Sequence, residues 1–446
     1  MDFTLLMAFV AGVACLLGLI LWLRVNAFVA LLVASIVVGV ASGMEAELII
    51  KTIQAGMGGT LGFVATVVGL GAIFGEVLRY SGATEVLANK VLDSFGERRS
   101  STALSLIGFL IAIPVFFDVA FIIIVPILYA LQERTGRSLL YFAIPLLASL
   151  AVTHAFIPPT PGPIAVADIL NADLGQIIFF GFIVGIPTTI VAGLIFGKYI
   201  GGKIDLPVPE GIVFETEGRT VTTPQLPLIL LLIALPIILI LLNTASTALY
   251  PDGTAAWLNI VQFLGHPFTA LIISTLAALY LLGTRLGATK EQLQQVSMRA
   301  LGPAGVIILI TGAGGVFKQM LIESGAGKML AEQFASLDIT PVLMAFALAL
   351  IVRLIQGSAT VAMITAAGIM SPLLMDTATT PSGLALIVLS IAAGASGFSH
   401  VNDSGFWLVN RYLGMDEKQT FRSWTAMTGI LSLTALGVIL VLDLFV

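Results

Sequence analysis

Eight apolar stretches, each of about twenty residues, decide what this chain can fold into, because a helix of that length crosses the roughly 30 Å hydrocarbon core of a bilayer. They are 3–23, 25–43, 57–80, 177–198, 226–243, 267–283, 303–322 and 424–446. Lipid offers no hydrogen bonds, so a spanning backbone must satisfy itself as a helix or a closed barrel. The short alternating segments of a barrel are absent. With 58% hydrophobic and 10% charged residues and a mean hydropathy of +1.07, the chain reads as an all-α polytopic membrane protein. Its one cysteine, Cys15, leaves nothing to pair in an intrachain disulfide. The start, Met-Asp-Phe-Thr, lacks the basic residues of a cleaved signal peptide, so the first stretch is expected to stay as a span. With no basic patch and no long soluble domain, no nucleic-acid partner is expected.

Four further regions are apolar but interrupted. Segment 101–131 as one helix would be roughly 46 Å long, too long for the bilayer. Pro114 and Asp118 sit at its middle, and Arg98, Arg99, Arg134 and Arg137 flank both ends. Like-charged flanks predict a re-entrant hairpin that returns to the side it came from. Segment 340–375 predicts a second hairpin, with its tip at Gln356-Gly-Ser-Ala-Thr360. Segment 139–170 is long enough to cross once with a break at His154-Ala-Phe-Ile-Pro-Pro-Thr-Pro-Gly-Pro163. Proline has no N–H and clashes with the preceding turn, and freed backbone groups at membrane depth are tolerated only against protein or a water-filled cavity. Segment 383–413 is broken in the same way at Gly397-Phe-Ser-His-Val-Asn-Asp-Ser-Gly405.

The two halves repeat. Shifting 71–88 forward by 243 residues matches Gly71, Phe74, Leu78, Ser81-Gly82-Ala83 and Leu87-Ala88 to Gly314, Phe317, Leu321, Ser324-Gly325-Ala326 and Leu330-Ala331. Gly162 falls on Gly405. Each half is then expected to hold three scaffold spans, an amphipathic connector, a re-entrant hairpin, a broken span and a final span. A hairpin adds no crossing, so each half crosses an odd number of times. The reading is of two inverted repeats, 1–198 and 226–446, joined by a polar linker at 199–225 that carries Glu210, Glu215 and Glu217.

Threading this topology puts Arg24, Arg79, Lys90, Arg98, Arg99, Arg134, Arg137, Lys198, Lys203, Arg219, Arg285, Lys290, Arg299, Arg411, Lys418 and Arg422 on one side. Only Lys51, Lys318 and Lys328 fall on the other, and Arg353 lies within the second hairpin. The basic side is cytoplasmic by the positive-inside rule, so both termini are expected outside.

The interruptions carry the candidate chemistry. A carboxylate at the depth of Asp118 costs several kcal/mol unless paired, hydrated or protonated, which suits it to carry a coupled proton. The bland alternative is a cap for the helix that follows it. His154 and His400 each open a break; a histidine titrates in the physiological range and donates to oxygen, or simply packs against a carbonyl. The third histidine, His266, is expected at an interface. Gly357, Ser358 and Thr360 offer hydroxyls and backbone N–H groups at a helix start, an arrangement that attracts anions. Ser399, Asn402, Asp403 and Ser404 do the same at the second break. Arg353 either grips a substrate carboxylate or neutralises an acidic partner.

Rival classes leave marks that are missing. His154, His400 and Asp403 could in principle ligate a metal, yet there is no H-E-x-x-H pair, no G-x-S-x-G and no cysteine ligand set. No cofactor is expected. A channel is the other alternative, but broken helices at a repeat interface favour alternating access.

Taken together, Gly58-Gly-Thr-Leu-Gly62, Phe116-Phe-Asp-Val119, Thr153-His-Ala-Phe-Ile-Pro-Pro-Thr-Pro-Gly-Pro163, Gly357-Ser-Ala-Thr-Val-Ala362 and Phe398-Ser-His-Val-Asn-Asp-Ser-Gly-Phe-Trp407 resemble the gluconate permease (GntP-type) family of bacterial organic-acid transporters, essentially end to end. The resemblance implies proton-coupled symport of gluconate or a related sugar acid across the inner membrane. It also implies the larger ion-transporter fold, in which a homodimeric scaffold supports a moving domain of hairpins and broken helices. Asp118 stands where the family often has Glu, and Thr160 where it often has a second His. On this reading the anion meets Ser358, Thr360 and Arg353 with its carboxylate. It meets His154, Thr160, Asn402 and Ser404 with its hydroxyls, and Asp118, His154 or His400 carries the proton. Sodium coupling and other substrates, such as other aldonates, sugar-derived keto acids or D-serine, remain open alternatives.

Overall fold

The structure, a computed structural model, describes residues 3–96, 99–209, 224–250, 255–326, 329, 339–374, 379–401 and 403–446. Among them all regular structure is helical, and seven helical segments are long and apolar enough to cross a membrane. In chain order they are α1 (Phe3–Leu21), α2 (Ala27–Ala41), α3 (Ala46–Tyr80), α4 (Ala83–Phe95), α5 (Ser100–Ile111), α6 (Phe117–Thr135), α7 (Leu140–Phe156), α8 (Pro161–Leu170) and α9 (Leu174–Gly201). The second half supplies α10 (Leu226–Leu249), α11 (Ala256–Gly265), α12 (Pro267–Leu286), α13 (Lys290–Glu323), α14 (Pro341–Gln356), α15 (Ala359–Leu374), α16 (Pro381–Ser396), α17 (Ser404–Leu413) and α18 (Glu417–Asp443). Asn402, Arg98, Arg219, Lys328 and the acidic residues Glu210, Glu215 and Glu217 lie outside the described residues.

Helix starts are written locally. Thr340 and Thr380 accept the N–H of Leu343 and Gly383, each ahead of a proline in the first turn, where the missing N–H costs nothing. Thr289 with Gln292, and Asp416 with Gln419, form reciprocal capping boxes.

α3 and α13 lie against each other. Both begin earlier than hydropathy suggests: the apolar stretches 57–80 and 303–322 are the inner parts of helices that start at Ala46 and Lys290. The extensions carry Glu47, Lys51 and Gln54, or Lys290 to Arg299, so they read as polar while remaining helical. At roughly 50 Å each, both exceed the bilayer core and must tilt or project. Their crossing is built on glycine. A Cβ at Gly56 would stand 2.7 Å from Val316 Cα, and one at Gly315 would stand 2.1 Å from Thr60 Oγ1. Small residues let membrane helices approach this closely.

α7 and α8 sit at the heart of the molecule, with 83% of their apolar window buried against protein. α5 packs on α7, and α14 packs on both α15 and α16. α8 and α15 meet each other and also touch α13, where Gly314 admits Ile364. Residues 112–116 join α5 to α6, and 357–358 join α14 to α15. The first part of the linker is tied down: Leu139 N donates to Leu206 O at 2.8 Å, and Ser138 Oγ donates to Ile204 O at 2.7 Å.

Candidate functional site

Three helix N-termini open into one cavity of about 430 Å³, a size typical of small-molecule sites. The first belongs to α6, through Phe116, Phe117 and Asp118; the second to α15, through Ser358, Ala359 and Thr360; the third to α17, through Asp403, Ser404 and Gly405. Each N-terminus carries unsatisfied N–H groups and the positive end of a helix dipole. Three converging on one space favour an anion there.

Local sequence explains each start. Gly357 takes φ +82° at the end of α14, a left-handed conformation that a Cβ disfavours. That reversal lets Ser358 cap α15, accepting from Val361 N at 3.4 Å. Asp403 caps α17 by accepting from Gly405 N at 3.0 Å. Asp118 lies in the first turn of α6, exposed in the cavity, where its charge suits the helix dipole.

The charged centre is Arg353, only 4% exposed. Its Nη2 donates to Asp403 Oδ2 at 2.5 Å, and its Nη1 donates to the Gly357 carbonyl. Among the described residues its Nε is buried with no hydrogen-bond partner, as are Gln356 Oε1 and His154 Nδ1. His154 projects from the last turn of α7 beside the Phe116 ring, centroids 6.1 Å apart. Three unpartnered polar atoms on residues around one cavity are what a polar ligand would satisfy, since a buried unmet donor or acceptor costs about 1–3 kcal/mol.

The structure therefore brings Asp118, His154, Arg353, Gly357, Ser358, Thr360, Asp403 and Ser404 around a single space. It places three other candidates differently. Thr160 is buried at the start of α8 and turns its hydroxyl back to Ile157 O at 2.8 Å. His400 points its Nε2 at Leu354 O, 3.0 Å away, outside the cavity lining. Ser399 is buried behind the wall, donating to Asp403 and accepting from Trp424 Nε1 at 2.6 Å. Asn402 lies outside the described residues. Lys318 is half-buried, with its Nζ 2.6 Å from Ile169 O, so Arg353 is not alone among basic residues inside the helical body.

Two lining residues, Trp424 and Thr428, carried no mark in the sequence, and Gln356, Phe116 and Phe117 stood in its motifs without a role of their own. Trp424 lies in a π-helical stretch, Phe421–Thr425, and such bulges recur at functional sites. Its ring meets Phe117 with centroids 5.6 Å apart. Thr425 Oγ1 donates to Ser399 O at 2.5 Å, and Thr428 Oγ1 accepts from Ser399 N at 3.0 Å. α18 thus fixes the second break from behind. Among the described residues, no three His, Cys, Asp or Glu side chains gather as a metal site.

The sequence model of the GntP family permeases matches residues 3–445. The low-affinity gluconate transporter of Escherichia coli (strain K12) is 40% identical over 428 residues, 96% of each chain. A gluconate permease of Pseudomonas aeruginosa is 38% identical, covering 99% of this chain and 98% of its own. The Gnt-II system L-idonate transporter of Escherichia coli (strain K12) is 37% identical over 96% of each. The solved structure of the Alcanivorax borkumensis YdaH transporter superposes with a TM-score of 0.62 at 16% identity, covering 89% of this chain and 88% of that one; at that identity the likeness concerns the fold.

Proposed function

The chain belongs to the GntP permease family, and from that premise we propose that it is a secondary active transporter, a symporter that carries gluconate or a related small sugar acid together with a proton. The observation that carries the reading is the convergence of three helix N-termini and Arg353 on one cavity. A monocarboxylate suits that field. Ser358, Thr360 and Ser404 offer hydroxyls, and His154 and Gln356 offer unmet polar atoms, for a chain of substrate hydroxyls. Binding and release replace bond-making, so the protein is not an enzyme in this reading.

The protein sits in the bacterial inner membrane as a homodimer with both termini periplasmic. Two inverted repeats, 1–198 and 226–446, meet around the cavity. Alternating access is of the elevator type: the body that holds α5–α8 and α14–α17 slides against scaffold helices that include α3 and α13. Gluconate and L-idonate are the substrates to compare first, since relatives carry those names.

Uptake of labelled gluconate into proteoliposomes tests the proposal. An inward proton gradient should drive accumulation that unlabelled sugar acids compete away. Accumulation that ignores the pH gradient and follows sodium would overturn proton coupling. No saturable flux of any sugar acid would overturn the transport reading itself.

A further inference from the structure

Arg353 is held by only part of its carboxylate-gripping edge. A guanidinium grips a carboxylate best side-on, with two parallel N–H donors. The same chain shows the full grip at a partly buried pair, where Arg79 Nε and Nη2 reach Glu76 Oε2 and Oε1 at 2.8 and 2.5 Å. At Arg353 the Nη2 atom reaches Asp403 Oδ2, but Nε on the same edge is buried without a hydrogen-bond partner among the described residues. Asp403 divides its attention: Oδ2 also accepts from Ser399, and Oδ1 accepts from Gly405 N. Of the two donors on that edge, Asp403 uses one and Nε stays free for a second carboxylate oxygen, and the cavity adjoins both residues.

Charge points the same way. α6 brings Asp118 to this cavity, α7 brings His154, α14 brings Arg353, and the second break brings Asp403. His400 faces Leu354 O instead, and α18 contributes Trp424 and Thr428, which are neutral. With a neutral histidine the two carboxylates and one guanidinium sum to −1. A bound monoanion would make −2 in a space where charges are weakly screened. One proton per anion restores the starting charge.

We infer that Asp403 is both the resting partner of Arg353 and the proton carrier: the substrate carboxylate takes the Nε–Nη2 edge of Arg353, and the displaced Asp403 carboxylate takes up one proton. The proton comes from water on the side from which substrate enters and returns to water on the side of release, when Asp403 re-forms its bond to Arg353. The anion and the proton thus occupy the site together or not at all. This assignment rests on the sugar-acid transport reading and adds the coupling residue to it.

Proton uptake on binding is the test. Gluconate is added to purified protein in weakly buffered detergent solution with a pH indicator. Wild type should take up about one proton per gluconate bound. Asp403→Asn, which retains an oxygen for Gly405 N, should bind gluconate with no proton uptake. In vesicles it should show counterflow above the protein-free level without accumulating substrate. Full proton uptake by Asp403→Asn overturns the assignment. If Asp403→Asn does not fold, Asp403→Glu decides: it should move the pH at which uptake is half-complete, and an unmoved midpoint overturns the inference. Wild type that binds gluconate without a proton sinks this assignment and leaves sugar-acid transport standing, whereas wild type that binds no sugar acid sinks the transport reading with it.

Discussion

Thr160 and Asp403 occupy equivalent places 243 residues apart: each is the N-cap of the short helix that resumes after an interrupted span. The equivalence extends along the chain. Adding 243 to the first residues of α8 and α9, Pro161 and Leu174, gives Ser404 and Glu417, the first residues of α17 and α18. The two caps are nonetheless chemically unlike. Asp403 caps with its carboxylate and faces Arg353, whereas Thr160 makes no side-chain cap bond and donates backward to Ile157 O. Thr160→Val should therefore cost about 0.5–1.5 kcal/mol of stability, the worth of one hydrogen bond. Its half-saturation constant for gluconate should stay at the wild-type value. A thermal melt alongside an uptake titration checks both, and a large change in the uptake constant would place Thr160 at the substrate after all.

The histidines divide in the same manner. His154 lines the cavity with an Nδ1 that has no partner among the described residues, while His400 serves the Leu354 carbonyl. His154→Ala should raise the half-saturation constant for gluconate by about tenfold or more, equivalent to about 1.4 kcal/mol of binding. His400→Ala should lower the melting temperature and leave that constant nearly unchanged. Uptake titrations of the two variants, each at matched protein density, separate the roles.

Much of this was legible because interruptions advertise themselves. Pro158, Pro159, Pro161, Gly357 and Asp403 are residues that a continuous apolar helix would not contain, so the ends of α7, α14 and α16 could be located from the sequence. Side-chain direction could not. His154 and His400 look alike in sequence, yet one follows a helical turn and the other an irregular loop whose path depends on packing. Phe398 in that loop takes φ +47° with its ring 2.6 Å from where a Cβ of Gly429 would stand, a tertiary contact that local sequence does not encode. The pairing of Arg353 with Asp403 spans 50 residues and two helices. The helical extensions at Ala46 and Lys290 were hidden because hydropathy marks the bilayer and not the helix.

The crossing of α3 and α13 gives a sharp mutational contrast. At Gly56 a methyl group would meet the backbone of Gly315 and Val316 at 2.7–3.0 Å, and backbone cannot swing aside. Gly56→Ala should destabilise by about 1–3 kcal/mol, as overpacking of a filled site does. At Gly437 in α18 nothing lies within 4 Å. Gly437→Ala should be neutral or stabilise by about 0.5–1 kcal/mol, the helix-interior advantage of alanine. Melting temperatures in detergent distinguish them; equal effects would mean that the two long helices do not approach as described.

Lys318 offers a prediction about how α13 holds the centre of the molecule. Its Nζ and the Ser371 hydroxyl on α15 both reach the Ile169 carbonyl, at 2.6 and 3.1 Å, near the C-terminal end of α8. A carbonyl at that end has no helical partner of its own, and a cation there also meets the negative end of the helix dipole. Lysine can do this from partial burial because its long apolar stem reaches past the helix while the ammonium finds oxygen. Lys318→Met keeps the stem and removes the charge, so it should cost about 1.5–3 kcal/mol, the range for hydrogen bonds to charged groups. Ser371→Ala alone should cost less, because the stronger donor remains. Because the two donors share one acceptor, the double variant should lose more than the sum of the single losses, by at least about 0.5 kcal/mol. Strictly additive losses in a denaturation series would show that Lys318 and Ser371 act on separate partners and that α13 does not grip α8 at this carbonyl.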